Sequence, residues 1–155
     1  MRATEPSWPA LQARLEATQA AWTDAGAGLT GDETAGGWSA LETHSHVAAA
    51  LLRYADTLAR LAVARESTVE PGARFLPGRH PYARVAQIGE KGWRDFRGAA
   101  LTVAKQPDRG AAIATAEGPV DARAFVARAL AHLDEHVEQM RLVAAGASTD
   151  AEQPA

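Results

Sequence analysis

Apolar and polar positions along this chain follow the three- to four-residue spacing of amphipathic helices rather than the two-residue alternation of strands. Alanine is abundant, β-branched residues are sparse, and no sustained alternation is bounded by turn residues. Stretches rich in glycine and proline divide the chain into long helical segments. The pattern predicts an all-α protein with four helices, over residues 7–27, 39–65, 80–106 and 120–145.

The start of the second helix carries the sharpest local signal. In "WSALE", Ser39 and Glu42 stand three residues apart, as in a capping box. In that motif the serine side chain accepts from a free amide of the first turn, and the glutamate reaches back to the amide of the serine. The motif predicts a helix start at Ser39 and gives Glu42 a capping role rather than a catalytic one.

The lengths of the segments predict how the helices pack. Segments of about 25 residues form helices of roughly 38 Å, and matched lengths favour a four-helix bundle. The connection over residues 66–79 is longer than the links that normally join antiparallel neighbours. Extended, it would span roughly 46 Å, enough to return along a helix. We therefore expect a long crossover there, with helices two and three parallel and helices two and four antiparallel.

Composition narrows the class of protein. With 155 residues, 46% of them hydrophobic, the chain suits a single domain, which we place at 1–147 with a frayed tail at 148–155. A net charge of −3 without a basic patch argues against nucleic acid as a partner. The sequence lacks an apolar run suited to a signal peptide or a membrane span, which predicts a cytoplasmic protein that binds no membrane. Because there is no cysteine, any metal must be held by nitrogen or oxygen ligands.

Helix four carries two histidines one turn apart. His132 and His136, in "AHLDEHVEQM", fall with Gln139 on a strip at the margin of the apolar stripe. The i, i+4 spacing lets both imidazoles reach one ion such as zinc. On this spacing alone the alternative stays open, namely two solvated imidazoles that share a helix face.

A third histidine, on helix two, would complete a metal site. His44 and His46 point roughly 200° apart, so only one of them can join the pair on helix four. Helix two has a bulky face and an alanine-rich face, and burial favours the bulky one as core. On that choice His46 lies at the flank of the core, as the histidines of helix four do. The bulky face comprises Val47, Leu51, Tyr54, Leu58 and Leu61, and the alanine-rich face Leu41, His44, Ala48, Leu52, Ala55 and Ala59.

The heights of the histidines along the bundle give a separate test. His46 lies roughly 10 Å from the start of helix two, and His136 lies roughly 14 Å from the end of helix four. These heights agree if the two helices are antiparallel and differ by about 13 Å if they are parallel. The three-histidine site and the crossover therefore support each other.

The combination of "GGWSALETHSHV" and "HLDEHVEQM" resembles the DinB/YfiT-like superfamily. In that superfamily a tryptophan precedes a serine or threonine, and a histidine with an aliphatic residue after it stands eight positions beyond the tryptophan. Here these positions are Trp38, Ser39, His46 and Val47. The second motif, H-x3-H-x2-Q, falls on His132, His136 and Gln139. The resemblance implies an up-down-down-up bundle with a three-histidine metal site, and it selects His46 over His44.

The resemblance also implies a function. Characterised members of the superfamily join bacillithiol, mycothiol or glutathione to electrophiles, and one is a mycothiol-dependent maleylpyruvate isomerase. We therefore expect a metal-dependent thiol transferase that acts on a small molecule in stress response or detoxification, with a metal-dependent hydrolase or isomerase as the alternative. Three imidazoles suit zinc or nickel and also accept iron, cobalt or manganese. A low-molecular-weight thiol is the expected second cofactor, and Gln139 would orient a ligand or substrate.

A non-catalytic alternative stays open on the same residues. A metal-binding bundle could serve as a sensor, or as a homodimer joined through the small residues of helix two, and a homodimer is also our expectation for the enzyme. That dimer face would comprise Ala48, Leu52, Ala55 and Ala59. Arginines on helix faces could receive a carboxylate or a thiol cofactor, but most such side chains are solvated. We therefore assign no role to Arg53, Arg94 and Arg97.

Overall fold

Four helices make up most of the structure, a computed structural model that describes residues 6–35, 37–64, 66–68, 80–106 and 112–149. Side chains are described for all of these except 66–68 and 147–149. The helices lie where the hydrophobic pattern predicts them and confirm the predicted four-helix bundle. They are α1 (Trp8–Gly26), α2 (Ala40–Ala64), α3 (Tyr82–Ala104) and α4 (Ala122–Thr149).

The last helix is longer than predicted. α4 continues past residue 145 to Thr149, and so enters the segment predicted as a frayed tail. Residues 150–155 of that segment lie outside the described residues. Within the described ranges, no helix is both long and apolar enough to cross a membrane. The cytoplasmic location stays a prediction.

α2 and α3 lie side by side and run in the same direction. Tyr82, at the start of α3, contacts His44 near the start of α2. Just beyond the end of α3, the Gln106 side chain donates to the carbonyl of Ala62 near the end of α2, at 2.8 Å. Because both helices point the same way, their connection must return along the bundle, which confirms the predicted crossover. Residues 69–79 of that connection lie outside the described residues.

α2 and α4 run in opposite directions. His46, in the second turn of α2, lies beside His136. Two turns further along α2, the Tyr54 ring contacts His132 and Phe125, which come earlier in α4. α1 packs along α4 and completes the bundle. The order up-down-down-up expected from the resemblance is the order observed.

Three short strands form a small sheet that the sequence pattern did not indicate: β1 (Glu66–Thr68), β2 (Ala112–Thr115) and β3 (Gly118–Val120). β1 pairs with β2 in parallel and β2 with β3 in antiparallel orientation, so the sheet joins the two long connections on either side of α3. Ile113 is fully buried and attaches β2 to the helical core. Strands of this length are too short for a two-residue alternation to be recognised.

The bulky face of α2 lies in the core, as burial favours, and its five apolar residues are all at most 8% exposed. The alanine-rich face is partly covered within the same chain, because Ala48 faces two glycines of α3. A methyl group at Gly92 would lie 2.8 Å from Cβ of Leu51, and one at Gly89 would lie 2.8 Å from Nε2 of His44. The two glycines therefore let the helices approach closely. Ala48 is not free to join a second chain, and the homodimer stays a prediction.

The capping box at the start of α2 is present. The amide of Glu42 donates to Oγ of Ser39 at 3.1 Å, and the amide of Ser39 donates to Oε1 of Glu42 at 3.2 Å. α2 begins at Ala40, directly after the serine. The reciprocal pair fixes the first turn of the helix. It thereby helps to position Trp38, just before the helix, relative to His46 in its second turn.

We expect Gly92→Ala to destabilise the protein by about 1–3 kcal/mol, because the added methyl group overpacks the contact between α2 and α3. Gly98→Ala is the matched control on the exposed side of the same helix, where nothing lies within 4 Å of the added group. That control should be neutral or stabilising by up to about 1 kcal/mol, since alanine favours helix over glycine. Urea unfolding followed by circular dichroism measures both. Equal free energies of unfolding in the two variants would contradict the close contact.

Candidate metal centre

Three imidazoles meet in the space between α2 and α4. His46 projects from α2, while His132 and His136 project from successive turns of α4. Nε2 of His132 lies 3.4 Å from Nε2 of His46 and 3.0 Å from Nε2 of His136. One ring nitrogen of each histidine lies within 4.8 Å of those of the other two. The three histidines that the sequence predicts to come together do so.

The geometry of the cluster fits a metal ion. Imidazole nitrogens bind zinc at about 2.0–2.1 Å, so two neighbouring ligands of a tetrahedral site lie roughly 3.3 Å apart. The observed separations of 3.4 and 3.0 Å lie on either side of that value. Neutral imidazoles that turn lone pairs towards a common point repel one another, and a cation at that point reverses the repulsion. The His46, His132 and His136 cluster can therefore hold a metal ion through nitrogen atoms alone.

One side of the cluster is open. All three histidines are partly exposed, so the cluster is neither sealed in the core nor spread on the surface. Trp38, which is 43% exposed, lies over it with its ring stacked on that of His136 at 6.3 Å and an interplanar angle of 7°. The same indole approaches the His46 ring at 5.2 Å. Trp38 thus forms a wall of the site.

Gln139 fixes the orientation of one histidine of the cluster. Its Oε1 atom accepts a hydrogen bond from Nδ1 of His136 at 2.8 Å. Because an amide oxygen cannot donate, the proton of the neutral imidazole sits on Nδ1, and Nε2 keeps its lone pair for a metal. The contact follows from the i, i+3 spacing on α4, which places both side chains on one face. A role of Gln139 towards a substrate stays a prediction.

Tyr54 supports a second histidine of the cluster through a contact that the sequence pattern did not predict. Its hydroxyl and Nδ1 of His132 share a hydrogen bond of 2.6 Å across the space between α2 and α4. For Nε2 of His132 to bind a metal, Nδ1 must carry the proton and donate to the phenol oxygen. The sequence placed Tyr54 on the apolar face only. The available signal was general, since a buried tyrosine hydroxyl usually finds a polar partner.

Electrostatics keep one ligand neutral. Burial, together with the neighbouring His136 and His46 rings and the Arg53 cation, lowers the pKa of His132 to about 4. A histidine must be neutral to bind a metal. Because its pKa is lowered so far, His132 is already neutral at pH 7. The same burial and neighbouring rings that disfavour protonation of His132 therefore leave its ring nitrogen available to bind a metal ion.

His44 stands apart from the cluster, as predicted from its direction on α2. Its Nδ1 atom lies 3.3 Å from the Tyr82 hydroxyl, and its ring meets that of Trp22 edge-on at 5.0 Å. Burial lowers the pKa of His44 to about 4. Packed among α1, α2 and α3, it is a core histidine with a polar partner rather than a ligand.

The aromatic and cationic side chains in and just before α3 fall into two groups. Trp93 and Phe96 are buried, whereas Arg94 and Arg97 are exposed on the outer side of α3 and His80 is exposed before it. Asp134 is partly exposed and joins α4 to α1. Its carboxylate accepts from Oγ1 of Thr18 at 2.7 Å and from the guanidinium of Arg14 at 3.1 Å. The sequence offers no sign of this contact, because the pairing depends on how two distant helices pack.

In the metal-free protein we expect His136 to be found as the Nδ1–H tautomer, because Gln139 accepts only at that nitrogen. Gln139→Leu removes the acceptor at similar size and should abolish the preference. Long-range ¹H–¹⁵N correlation spectra of the imidazoles, recorded with a chelator at pH 8, measure the tautomer. Glu138→Gln, at the exposed neighbouring position, is the control. An unchanged tautomer in Gln139→Leu would show that the amide does not set the orientation of His136.

Comparisons with known proteins add no relative: neither a protein-family model, nor a curated protein, nor a solved structure gives a significant match to the chain. The resemblance to the DinB/YfiT-like superfamily therefore depends on its two motifs and on the site that they form. The structure shows a four-helix, all-α protein in which three histidines form a cluster capable of holding a metal ion.

Proposed function

We propose that this chain is a DinB/YfiT-like, metal-dependent thiol transferase that joins a low-molecular-weight thiol, such as bacillithiol or mycothiol, to an electrophilic small molecule. The observation that carries the proposal is the convergence of three Nε2 atoms. Two of the three imidazoles are also held by a hydrogen bond at Nδ1, on the far side of the ring. Gln139 holds one ring at Nδ1, and Tyr54 holds another. Such support is typical of residues that bind a metal.

The donor set supports a catalytic rather than a structural site. His46, His132 and His136 would hold the ion, and three protein ligands leave a tetrahedral ion one further position. Zinc or nickel is the proposed ion, with iron, cobalt and manganese also compatible with nitrogen ligands. When bound, a divalent ion would act as a Lewis acid and lower the pKa of a coordinated thiol or water.

The residues around the cluster perform the remaining tasks in this proposal. Trp38 covers one side of the site and keeps part of the solvent away, while its partial exposure leaves an approach for a small molecule. Gln139 holds His136 in the tautomer that leaves Nε2 free to bind, and the Tyr54 hydroxyl can accept the Nδ1 proton of His132 when its Nε2 binds an ion. The capping box at Ser39 sets the start of α2, and this places Trp38 and His46 on the same side.

We expect about one transition-metal ion per chain in protein purified without an affinity tag, and loss of that ion in His46→Ala. His44→Gln, two residues away and pointing to the other side of α2, should retain it. Elemental mass spectrometry measures the metal, and circular dichroism shows that both variants are folded. A wild-type chain that cannot be loaded with zinc, nickel, cobalt or manganese would overturn the metal-dependent function.

Activity separates the enzyme from a metal-binding bundle without one. The metal-loaded chain should accelerate the conjugation of bacillithiol, mycothiol or glutathione to 1-chloro-2,4-dinitrobenzene, followed by absorbance, and His46→Ala should not. Metal bound at one ion per chain with no turnover for any of these thiols would favour the non-catalytic binder. Hydrolysis of an ester or amide by the same metal-loaded chain, without added thiol, would favour the hydrolase.

Removal of the Tyr54 hydroxyl should weaken the metal site without disturbing the fold. We expect Tyr54→Phe to lower metal affinity about 10- to 100-fold, the usual effect of losing a hydrogen bond to a metal-bound histidine. Tyr82→Phe is the matched control, because it also removes a tyrosine–histidine contact but at His44. Competition with a chromophoric zinc chelator measures both affinities. Equal losses in the two variants would argue that the effect reflects packing and not the metal site.

A further inference from the structure

A positive charge stands beside the cluster on the same face of α2. Arg53 follows His46 by seven residues, almost two helical turns, which places it roughly 10 Å further along the same side. Helical side chains lean towards the N-terminus, here the direction of His46. The two residues between them on that face, Ala49 and Ala50, are small. Nothing bulky on α2 therefore separates the guanidinium from the histidines.

The contacts of Arg53 leave one of its buried donors unused, although a side-chain hydrogen bond links the guanidinium to Tyr54. The guanidinium carbon lies 5.6 Å from the centre of the Tyr54 ring, whose own centre is 6.1 Å from that of His132. Its Nε atom is buried and meets no hydrogen-bond acceptor. Among the described residues, Arg14 and Arg141 pair with carboxylates, but no ion pair includes Arg53.

Such an arrangement is costly unless a partner arrives. A buried donor without an acceptor lowers stability, and most strongly when it is charged. Tyr54 attracts the cation through its ring and its hydroxyl, but the Nε–H group of Arg53 is left without an acceptor. The planar fork of a guanidinium matches a carboxylate with two parallel hydrogen bonds. The unfilled Nε donor beside the cluster therefore points to an anion that is part of the ligand.

The neighbours of Tyr54 define the charges that compete with Arg53. The phenol lines a cavity of about 320 Å³, whose lining includes neither Arg53 nor the histidines of the cluster. Phe125 makes one wall of that cavity apolar, and Arg128 and Glu117 contribute one charge of each sign. The exposed carboxylate of Glu135, on α4, raises the pKa of the Tyr54 hydroxyl by its negative charge. The cationic group on the α2 side of Tyr54 is Arg53.

We propose that Arg53 anchors a carboxylate of the ligand that binds at the three-histidine centre, an inference that rests on the proposed function. The ligand is then a carboxylate-bearing thiol or a carboxylate-bearing electrophile, and the guanidinium holds its carboxylate while the other end of the molecule lies at the cluster. Arg53 is a binding residue in this account. It contributes no metal ligand and should not affect the metal content.

Cobalt(II)-loaded protein tests this inference through its visible absorption bands. The probes are paired: 3-mercaptopropionate with 2-mercaptoethanol for a thiol, and acrylate with acrylamide for an electrophile. Wild type should bind the carboxylate member of at least one pair more tightly. Arg53→Gln should weaken that binding about tenfold, the effect of losing one charged hydrogen bond, and leave the neutral member unchanged. Loss for 3-mercaptopropionate alone assigns the carboxylate to the thiol, and loss for acrylate alone assigns it to the electrophile.

Two further variants exclude indirect effects. Arg53→Lys keeps the charge without the fork and should lie between wild type and Arg53→Gln. Arg94→Gln removes an exposed arginine of α3 and should match wild type. Cobalt content, measured in every sample, should be the same in all of them. Equal binding of both members of each pair by wild type, or an unchanged preference in Arg53→Gln, would overturn the inference.

The outcome is distinguishable from failure of the proposed function. If wild type binds neither cobalt nor zinc, nickel or manganese, the metal-dependent function fails; whenever cobalt does not bind, the anchor is tested on the metal-free chain with propionate. The Nε–H signal of Arg53 in ¹H–¹⁵N spectra should then shift as propionate is added, while that of Arg94 stays in place. Absence of that shift at saturating propionate would overturn the anchor as well.

Discussion

The three imidazoles can share one ion only because α2 and α4 run in opposite directions. That relation depends in turn on the crossover, which makes α2 and α3 parallel neighbours, and on Gly89 and Gly92, which let α3 approach α2 closely. With one side of α2 occupied by α3, the opposite side is left to face α4. His46 lies on that side at the height of His132 and His136. Helix direction and close packing therefore determine the site before any polar contact does.

Two tyrosine–histidine contacts show how the direction of a side chain on α2 decides whether a histidine belongs to the core or to the candidate metal centre. His44 and His46 are two residues apart on α2, yet the first is enclosed with Tyr82 among three helices and the second faces a half-open space. Tyr54 repeats the tyrosine–histidine pairing on the other side, where it holds His132. The chemistry of the pair is the same in both places. Access to solvent and the presence of neighbouring imidazoles make the difference.

Much of this arrangement could be predicted from the sequence, because helices and their directions leave periodic signals. The spacing on α4, the opposed directions of His44 and His46, and the length of the crossover together predicted which histidines meet. The small sheet could not be predicted, because its strands are too short to show a period. The contacts of Tyr54 and Arg53 could not be predicted either, since a helix face shows where a side chain points but not what stands opposite. Those contacts depend on the exact packing of α2 against α4.

The stacking of Trp38 on His136 has an optical consequence. The indole lies nearly parallel to the His136 imidazole, with ring centres 6.3 Å apart, and so stands next to the position where the cluster could hold an ion. An ion with unpaired d electrons, such as cobalt, would quench its fluorescence, whereas the filled shell of zinc would not. The molecule thus carries a built-in reporter at its own site, whose emission distinguishes the kind of metal and not merely its presence.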